Sequence, residues 1–321
     1  MKVLFITDRS QYEKRMSMNH SLIMSEISKK YDVVDQLNIA HTDLTQYDII
    51  VNDTWPNFSE TTINKKGNRV LIGKFYEDLW QIYDSGERKI GQEYDFVINR
   101  YKDEKTVNNL FCGSLKKFYI PHHLDLDTFK DYKQEKEYDL FVYGSMWRKL
   151  YPCRWKLGKF IKTNLGNKIN VKILNHPGYA DKSAKNSVRG GDLSKLINMS
   201  WLSLCTSESH GPYNKRNNPL DYWYKKYGET SLSNTVVLGT MPTEANDLYK
   251  DDYIHIDNKM SNNKIVDIIL NALDNKNDLI EKANRVRERY KNAKLDIEHY
   301  NEKLNAIFAE VSSNIGVRVN D

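Results

Sequence analysis

A chain of 321 residues that is 40% hydrophobic and 28% charged is sized for two domains and too apolar to stay disordered. Its 48 Lys and Arg against 43 Asp and Glu leave +5, a mild excess that argues against a nucleic-acid binder. No run approaches the roughly 18 apolar residues of a membrane span. The first strand-like run, Val3–Thr7, meets Asp8 and Arg9 at once, which leaves no room for a signal peptide. Cys112, Cys153 and Cys205 lie too far apart for a disulfide framework or a CxxC zinc site. A reducing, cytoplasmic location is therefore expected.

Val3–Thr7 reads as the first strand, and His20–Tyr31 as a helix with Leu22, Ile23, Ile27 and Tyr31 at helical spacing. Asp48–Asn52, Val70–Gly73, Asp95–Asn99 and Lys117–Ile120 continue as strands. Short β-branched runs between helical segments predict a parallel sheet with crossover helices, one doubly wound α/β unit of about 120 residues. The stretch Pro121–Phe129 (PHHLDLDTF) and the lysine-rich Lys130–Tyr138 read as the join and a linker.

A second α/β unit follows. Its strands are Asp139–Tyr143, Asn170–Leu174, Trp201–Cys205, Thr235–Gly239 and Tyr253–Ile256. Helices are expected over Cys153–Asn164, Asp221–Ser233, Ile265–Leu273 and Asp278–Tyr290, with an amphipathic run at Asp296–Val311. The domains expected are 1–121, with 297–321 added, and 122–296. Two such sheets predict a cleft between facing lobes, with ligands held outside the carboxyl ends of strands.

Pro219–Met241 (PLDYWYKKYGETSLSNTVVLGTM) holds the densest chemistry. On one helix Asp221 and Glu229, eight residues apart, would lie within about 80° of each other. Two carboxylates beside Lys225 and Lys226 suit sugar hydroxyls and a phosphate. An amphipathic surface helix with ordinary charge spacing explains the same residues. Gly144, after the strand DLFVY, allows close backbone approach to a ligand, and Arg148, Lys149 and Arg154 follow as anion-binding candidates beside the plainer reading of a solvated basic turn.

These segments resemble retaining GT-B glycosyltransferases of family 4. KYGETSLSNTVVLGTMP resembles the glutamate-containing helix and following strand of that family, and Glu229 falls on its second glutamate. The resemblance implies that Glu229 binds the donor ribose and that Lys226 meets the diphosphate. Asp221 falls eight residues earlier, where the family has Glu. Glu208, in SESHG, resembles the family's E-G-F-G loop, so the first acidic position stays open between Asp221 and Glu208. Pro121–Phe129 resembles the hinge element P-x-G-V-D-x-x-x-F, with His123 replacing Gly. Asp139–Arg154 resembles the strand, glycine turn and basic residues that open the second domain. The final helix resembles one that crosses back onto the first domain. The chain is also similar to glycosyltransferases encoded by chlorella-infecting viruses.

The resemblance implies a metal-independent transferase with no cofactor beyond a nucleotide-sugar co-substrate, GDP-mannose first and a UDP-sugar second. Arg148, Arg154 and Lys226, with Asp221 and Glu208, would surround the reacting sugar. Gly144, Ser145, Lys149, His176, Pro177 and Glu229 would hold the nucleotide, although His176–Gly178 also reads as a plain turn. A glycan acceptor is expected on the first unit, near Asp8, Arg9, Asp53, Trp55, Glu77 and Asp78. The family's glycine-rich loop is missing from Asp8–Asn19. The helix-cap reading is favoured for Asp78, and Trp55 reads equally as a core residue. Arg189–Asp192 (RGGD) reads as a loop, and His122 with His123 lacks a third ligand at metal spacing. No nucleic-acid partner is expected, and a homodimer stays open. A non-catalytic module that binds a nucleotide sugar is the alternative.

Overall fold

The computed structural model describes residues 1–7, 27–53, 71–75, 94–100, 102, 115–146, 148, 151–174, 188, 190–209, 220–221 and 223–317. The chain divides into two compact units, 1–122 with 297–321, and 123–296.

The first unit carries β1 (Val3–Thr7), β2 (Asp32–Asp35), β3 (Ile49–Asp53), β4 (Leu71–Phe75), β5 (Phe96–Asn99) and β6 (Lys116–Tyr119). They form a parallel sheet in the order β2-β1-β3-β4-β5-β6. β1, β3 and β5 are buried along their whole length, which is why they read as unbroken apolar runs. The sequence reading missed β2: DVVD has an exposed Asp at its start and too few apolar residues to signal a strand. The C-terminal helix, Ile297–Val317, belongs to this unit. Its Tyr300, Leu304, Ile307, Phe308 and Val311 pack on Phe5, Ile27 and Ile120 in one core.

Arg100 locks this arrangement. It is 1% exposed, and its guanidinium donates to the Pro121 carbonyl at 2.6 Å and to the Tyr300 hydroxyl at 3.3 Å. Its charge also lies 5.2 Å from the Tyr300 ring centre. One side chain thus ties the end of β5, the exit strand and the C-terminal helix. Arg100→Ala would remove the donor to the Pro121 carbonyl, the longer bond to the Ile120 carbonyl at 3.5 Å, and the bond to the Tyr300 hydroxyl. It is expected to cost about 3 kcal/mol, read as a lower urea midpoint.

The second unit carries β7 (Tyr138–Val142), α1 (Pro152–Asn164), β8 (Val171–Ile173), α2 (Gly190–Asn198) and β9 (Ser200–Cys205). Then come β10 (Glu208–Ser209), β11 (Leu220–Asp221), α3 (Lys225–Leu232), β12 (Val236–Gly239), α4 (Asn246–Tyr249), β13 (Ile254–His255), α5 (Asn262–Asp274) and α6 (Lys276–Asn292). The main sheet is parallel, in the order β13-β12-β9-β7-β8, and β10 and β11 form a small antiparallel ladder. Each unit is thus a parallel α/β sheet.

Three expectations are corrected. The helix expected from Asp221 starts only at Lys225. Asp221 is in β11, and Tyr224 before the helix is extended, at φ −78° and ψ 151°. Buried Trp223, whose indole donates to Tyr290 at 3.1 Å, anchors the extended approach. The RGGD segment is no loop at its glycines, because Gly190–Asp192 form the first turn of α2. The Lys130–Tyr138 stretch is not a free linker. Asp131 accepts from Arg287 at 2.6 Å and from Asn198 at 3.1 Å, and Lys136 donates to the Ser200 and Asn234 carbonyls at 2.8 Å each. Burial opposes the Asp131 charge, but hydrogen bonds from Lys133, Arg287 and Asn198 hold its carboxyl far below the usual range. A polar composition suggested solvent, and the polar groups are instead used as staples.

Candidate functional site

β7 ends at Val142, and the chain turns at Gly144 with φ +85°, a conformation that favours glycine. Two cations converge on this turn. A Cβ added to Gly144 would lie 3.5 Å from Arg154 Nη1 and 3.9 Å from Lys226 Nζ. Arg154 comes from the first turn of α1, which Pro152 opens with its preset φ. It is 5% exposed, donates to the Ser145 carbonyl at 3.2 Å, and stacks on Tyr151 at 4.5 Å and Tyr224 at 5.7 Å. Lys226 comes from the first turn of α3 and is 7% exposed. Its ammonium donates to the Tyr143 carbonyl at 2.6 Å and sits 4.1 Å from the Tyr143 ring centre. Burial pushes Lys226 down to about 7, and the Arg154 charge adds to the effect.

Glu229 lies one turn further along α3 and is half-buried. Its carboxylate accepts from the Tyr143 hydroxyl at 3.4 Å. Burial pushes the Glu229 carboxyl up, against the pull of Lys225 and Lys226. Burial likewise raises the Tyr143 phenol well above its ordinary value. Beneath α3, Tyr227 donates to the Thr240 carbonyl at 2.6 Å. Tyr249 donates to the Tyr227 carbonyl at 2.8 Å and also meets Ser231 at 2.7 Å. This buried network fixes α3, and with it the positions of Lys226 and Glu229.

Two buried cations around a left-handed turn at a strand's carboxyl end make a site for a doubly charged anion. The adjoining Glu229 is a hydrogen-bond acceptor for hydroxyl groups. Gly144, Ser145, Arg154, Lys226 and Glu229 are brought together. Arg148 is exposed and stacks on Trp155 at 4.9 Å, and no described contact joins it to the turn. Glu208 and Asp221, read as rivals, face each other as register partners across the β10-β11 ladder. Asp53 ends β3 in the first unit and is buried. Asp8, Arg9, Trp55, Glu77, Asp78, Lys149, His176 and Pro177 lie outside the described residues. Sequence reasoning missed the aromatic lining, Tyr143, Tyr151 and Tyr224. Thr206, one residue past β9, has a buried hydroxyl with no hydrogen-bond partner among the described residues. Tyrosines in a chain with 21 of them carry no positional signal.

No protein-family model and no curated protein matches the sequence. The fold does have matches: paired parallel α/β units of this kind define the GT-B class, and solved glycosyltransferases of that class are similar to this chain. The pneumococcal O-GlcNAc transferase GtfA, solved with UDP and GlcNAc, matches 86% of the chain at TM-score 0.54 and 12% identity. The match spans 59% of the GtfA chain. Anabaena HepE, solved with UDP and glucose, matches 97% of this chain and 100% of its own at TM-score 0.62 and 12% identity. Sucrose-phosphate synthase from Thermosynechococcus elongatus matches 98% and 100% at TM-score 0.65 and 10% identity. At these identities the likeness is one of fold.

Proposed function

We propose that this chain is a glycosyltransferase that takes its sugar from a nucleoside diphosphate donor. The observation that carries the reading is the convergence of buried Arg154 and Lys226 on the Gly144 turn. Charge grows on the diphosphate as the glycosidic bond breaks. Fixed cations in a desolvated site stabilise that charge without rearranging. Glu229 would accept from the ribose hydroxyls. The resemblance gives the donor-sugar contact to either Glu208 or Asp221, which are backbone register partners.

The finer reading is a retaining, metal-independent transferase of the family 4 kind. The acceptor attacks from the face the leaving group vacates, and the departing phosphate takes its proton. GDP-mannose is the first donor to test and UDP-sugars the next. Asp53, at a strand end of the first unit, is an acceptor-side candidate. Calorimetric titration against a panel of nucleotide sugars tests the reading, followed by assay of free nucleoside diphosphate with and without glycan acceptors. Binding without any release would favour the non-catalytic module, and loss of activity in EDTA would remove metal independence.

The role of Glu229 has its own test. Glu229→Gln is expected to weaken GDP or UDP binding by roughly 10-fold to 100-fold, the scale of a charge-assisted hydrogen bond. Inorganic pyrophosphate, which has no ribose, should bind as it does to the parent. Equal losses for both ligands would move Glu229 away from the ribose.

A further inference from the structure

Residues 140–180 contain eight Lys and Arg and no Asp or Glu, against +5 for the whole chain. The rest of the chain is therefore slightly acidic. The fold carries the described part of this stretch, 140–146, 148 and 151–174, toward one edge of the second unit: β8 ends the sheet, and α1 is the crossover from β7 to that edge. At about 100° per residue, Lys162, Trp155, Lys159 and Lys156 occupy an arc of about 120° on α1. Cys153, Leu157 and Ile161 face the core, and Arg154 turns to the Gly144 site. One helix thus serves two purposes on two sides.

Lys156, Lys159, Lys162 and Lys168 are exposed, and none is ion-paired among the described residues. Lys156 donates to the Asn258 carbonyl at 2.9 Å. The carboxylate next to that carbonyl, Asp257, is occupied by His255 and by the amides of Lys259 and Met260. Within the arc, between Lys162 and Lys159, Trp155 is half-buried, with Arg148 at 4.9 Å and Lys159 at 5.3 Å from its ring centre.

We propose that α1 and the β8 edge form a docking surface for an anionic lipid bilayer. Uncompensated ammonium groups on long apolar stems suit acidic headgroups, and an amphipathic indole among them suits the interface below. Single-stranded nucleic acid would use the ring face for base stacking, and here two cations already lie over it. The described residues include no helix long and apolar enough to cross a membrane. The inference does not depend on what occupies the Gly144 site.

Co-sedimentation of the full chain with vesicles tests it. The protein should bind mixed phosphatidylcholine–phosphatidylglycerol vesicles, ignore phosphatidylcholine alone, and release as salt rises from about 0.05 to about 0.5 M. The triple variant Lys156→Gln, Lys159→Gln, Lys162→Gln should lower partitioning on the order of 100-fold, and each single change about fivefold. A matched set at Lys29, Lys30 and Lys264, which changes net charge equally, should stay close to the parent. Equal binding to neutral vesicles would overturn the proposal. So would a triple variant that binds like the parent, or an RNA homopolymer that binds more tightly than the mixed vesicles.

Discussion

Lys226→Met is expected to make the free protein more stable while nearly abolishing its affinity for nucleoside diphosphates. In the free protein the ammonium is buried beside Arg154, with one hydrogen bond to the Tyr143 carbonyl and the Tyr143 ring beneath it. A charge held that way costs more than those contacts return, which is why burial lowers its proton affinity to about 7. Methionine keeps the length and removes the charge. The gain should be about 2 kcal/mol, or roughly 5 °C in melting temperature. GDP and UDP affinity should fall on the order of 100-fold, because the variant would lose the charge-assisted bond to phosphate proposed for Lys226. A variant less stable than the parent, with unchanged affinity, would make Lys226 a structural peg.

The same group sets a pH dependence. The folded value of about 7 lies below the unfolded value of 10.5. Between them the unfolded chain holds a proton that the folded chain has released, so stability rises with pH across that window. Lys136, lowered to about 8 by burial, acts in the same direction. Bound diphosphate favours the charged ammonium, so donor affinity should fall as pH rises above about 7. Calorimetry in buffers of different ionisation enthalpy should then show proton uptake on binding near pH 8 in the parent and none in Lys226→Met.

Much of the fold was legible in the sequence, because both sheets are parallel and buried. VLFIT, DFVIN and TVVLG announce themselves through apolar runs bounded by breakers, and the structure sets strands there. The element before α3 was not legible. Asp221 and Glu229 have helical spacing, but spacing says nothing about whether the first residue is in the helix. A buried Trp223 and the β10-β11 ladder decided that, and both are tertiary effects. Arg154 was visible as a cation after a glycine turn, where Arg148 and Lys149 looked equally good, and Lys226 only through the family resemblance of its helix. Position within one helical turn separates Arg154, facing Gly144, from the half-buried Trp155 that carries the exposed Arg148. The tyrosines that hold these cations had no pattern to reveal them, since each arrives from a different element.

Gly239→Ala is expected to be the most damaging single methyl in the second unit. Gly239 ends β12 at φ +140°, where an L side chain is strained whatever the space. There is also no space: a Cβ there would overlap the Cys205 carbonyl on the paired strand β9. Backbone cannot swing aside as a side chain can. Relief means parting β9 from β12 at the point where Thr240 holds the Ser207 amide at 2.8 Å and Cys205 Sγ meets Thr230 of α3 at 3.6 Å. The variant should lose about 4 kcal/mol, and anion binding should fall with it as α3 loses its support. Gly144→Ala is the informative contrast. Its φ of +85° is strained too, yet its Cβ would meet Arg154 and Lys226 only at ordinary contact distances. That variant should fold, at a cost of about 1–2 kcal/mol, and lose donor binding because the methyl occupies the space where the anion approaches the turn. Urea unfolding and pyrophosphate titration on the pair separate the two effects. If Gly239→Ala unfolds at the parent's midpoint, the close approach of the two strand ends is wrong, and so is the support it gives the site.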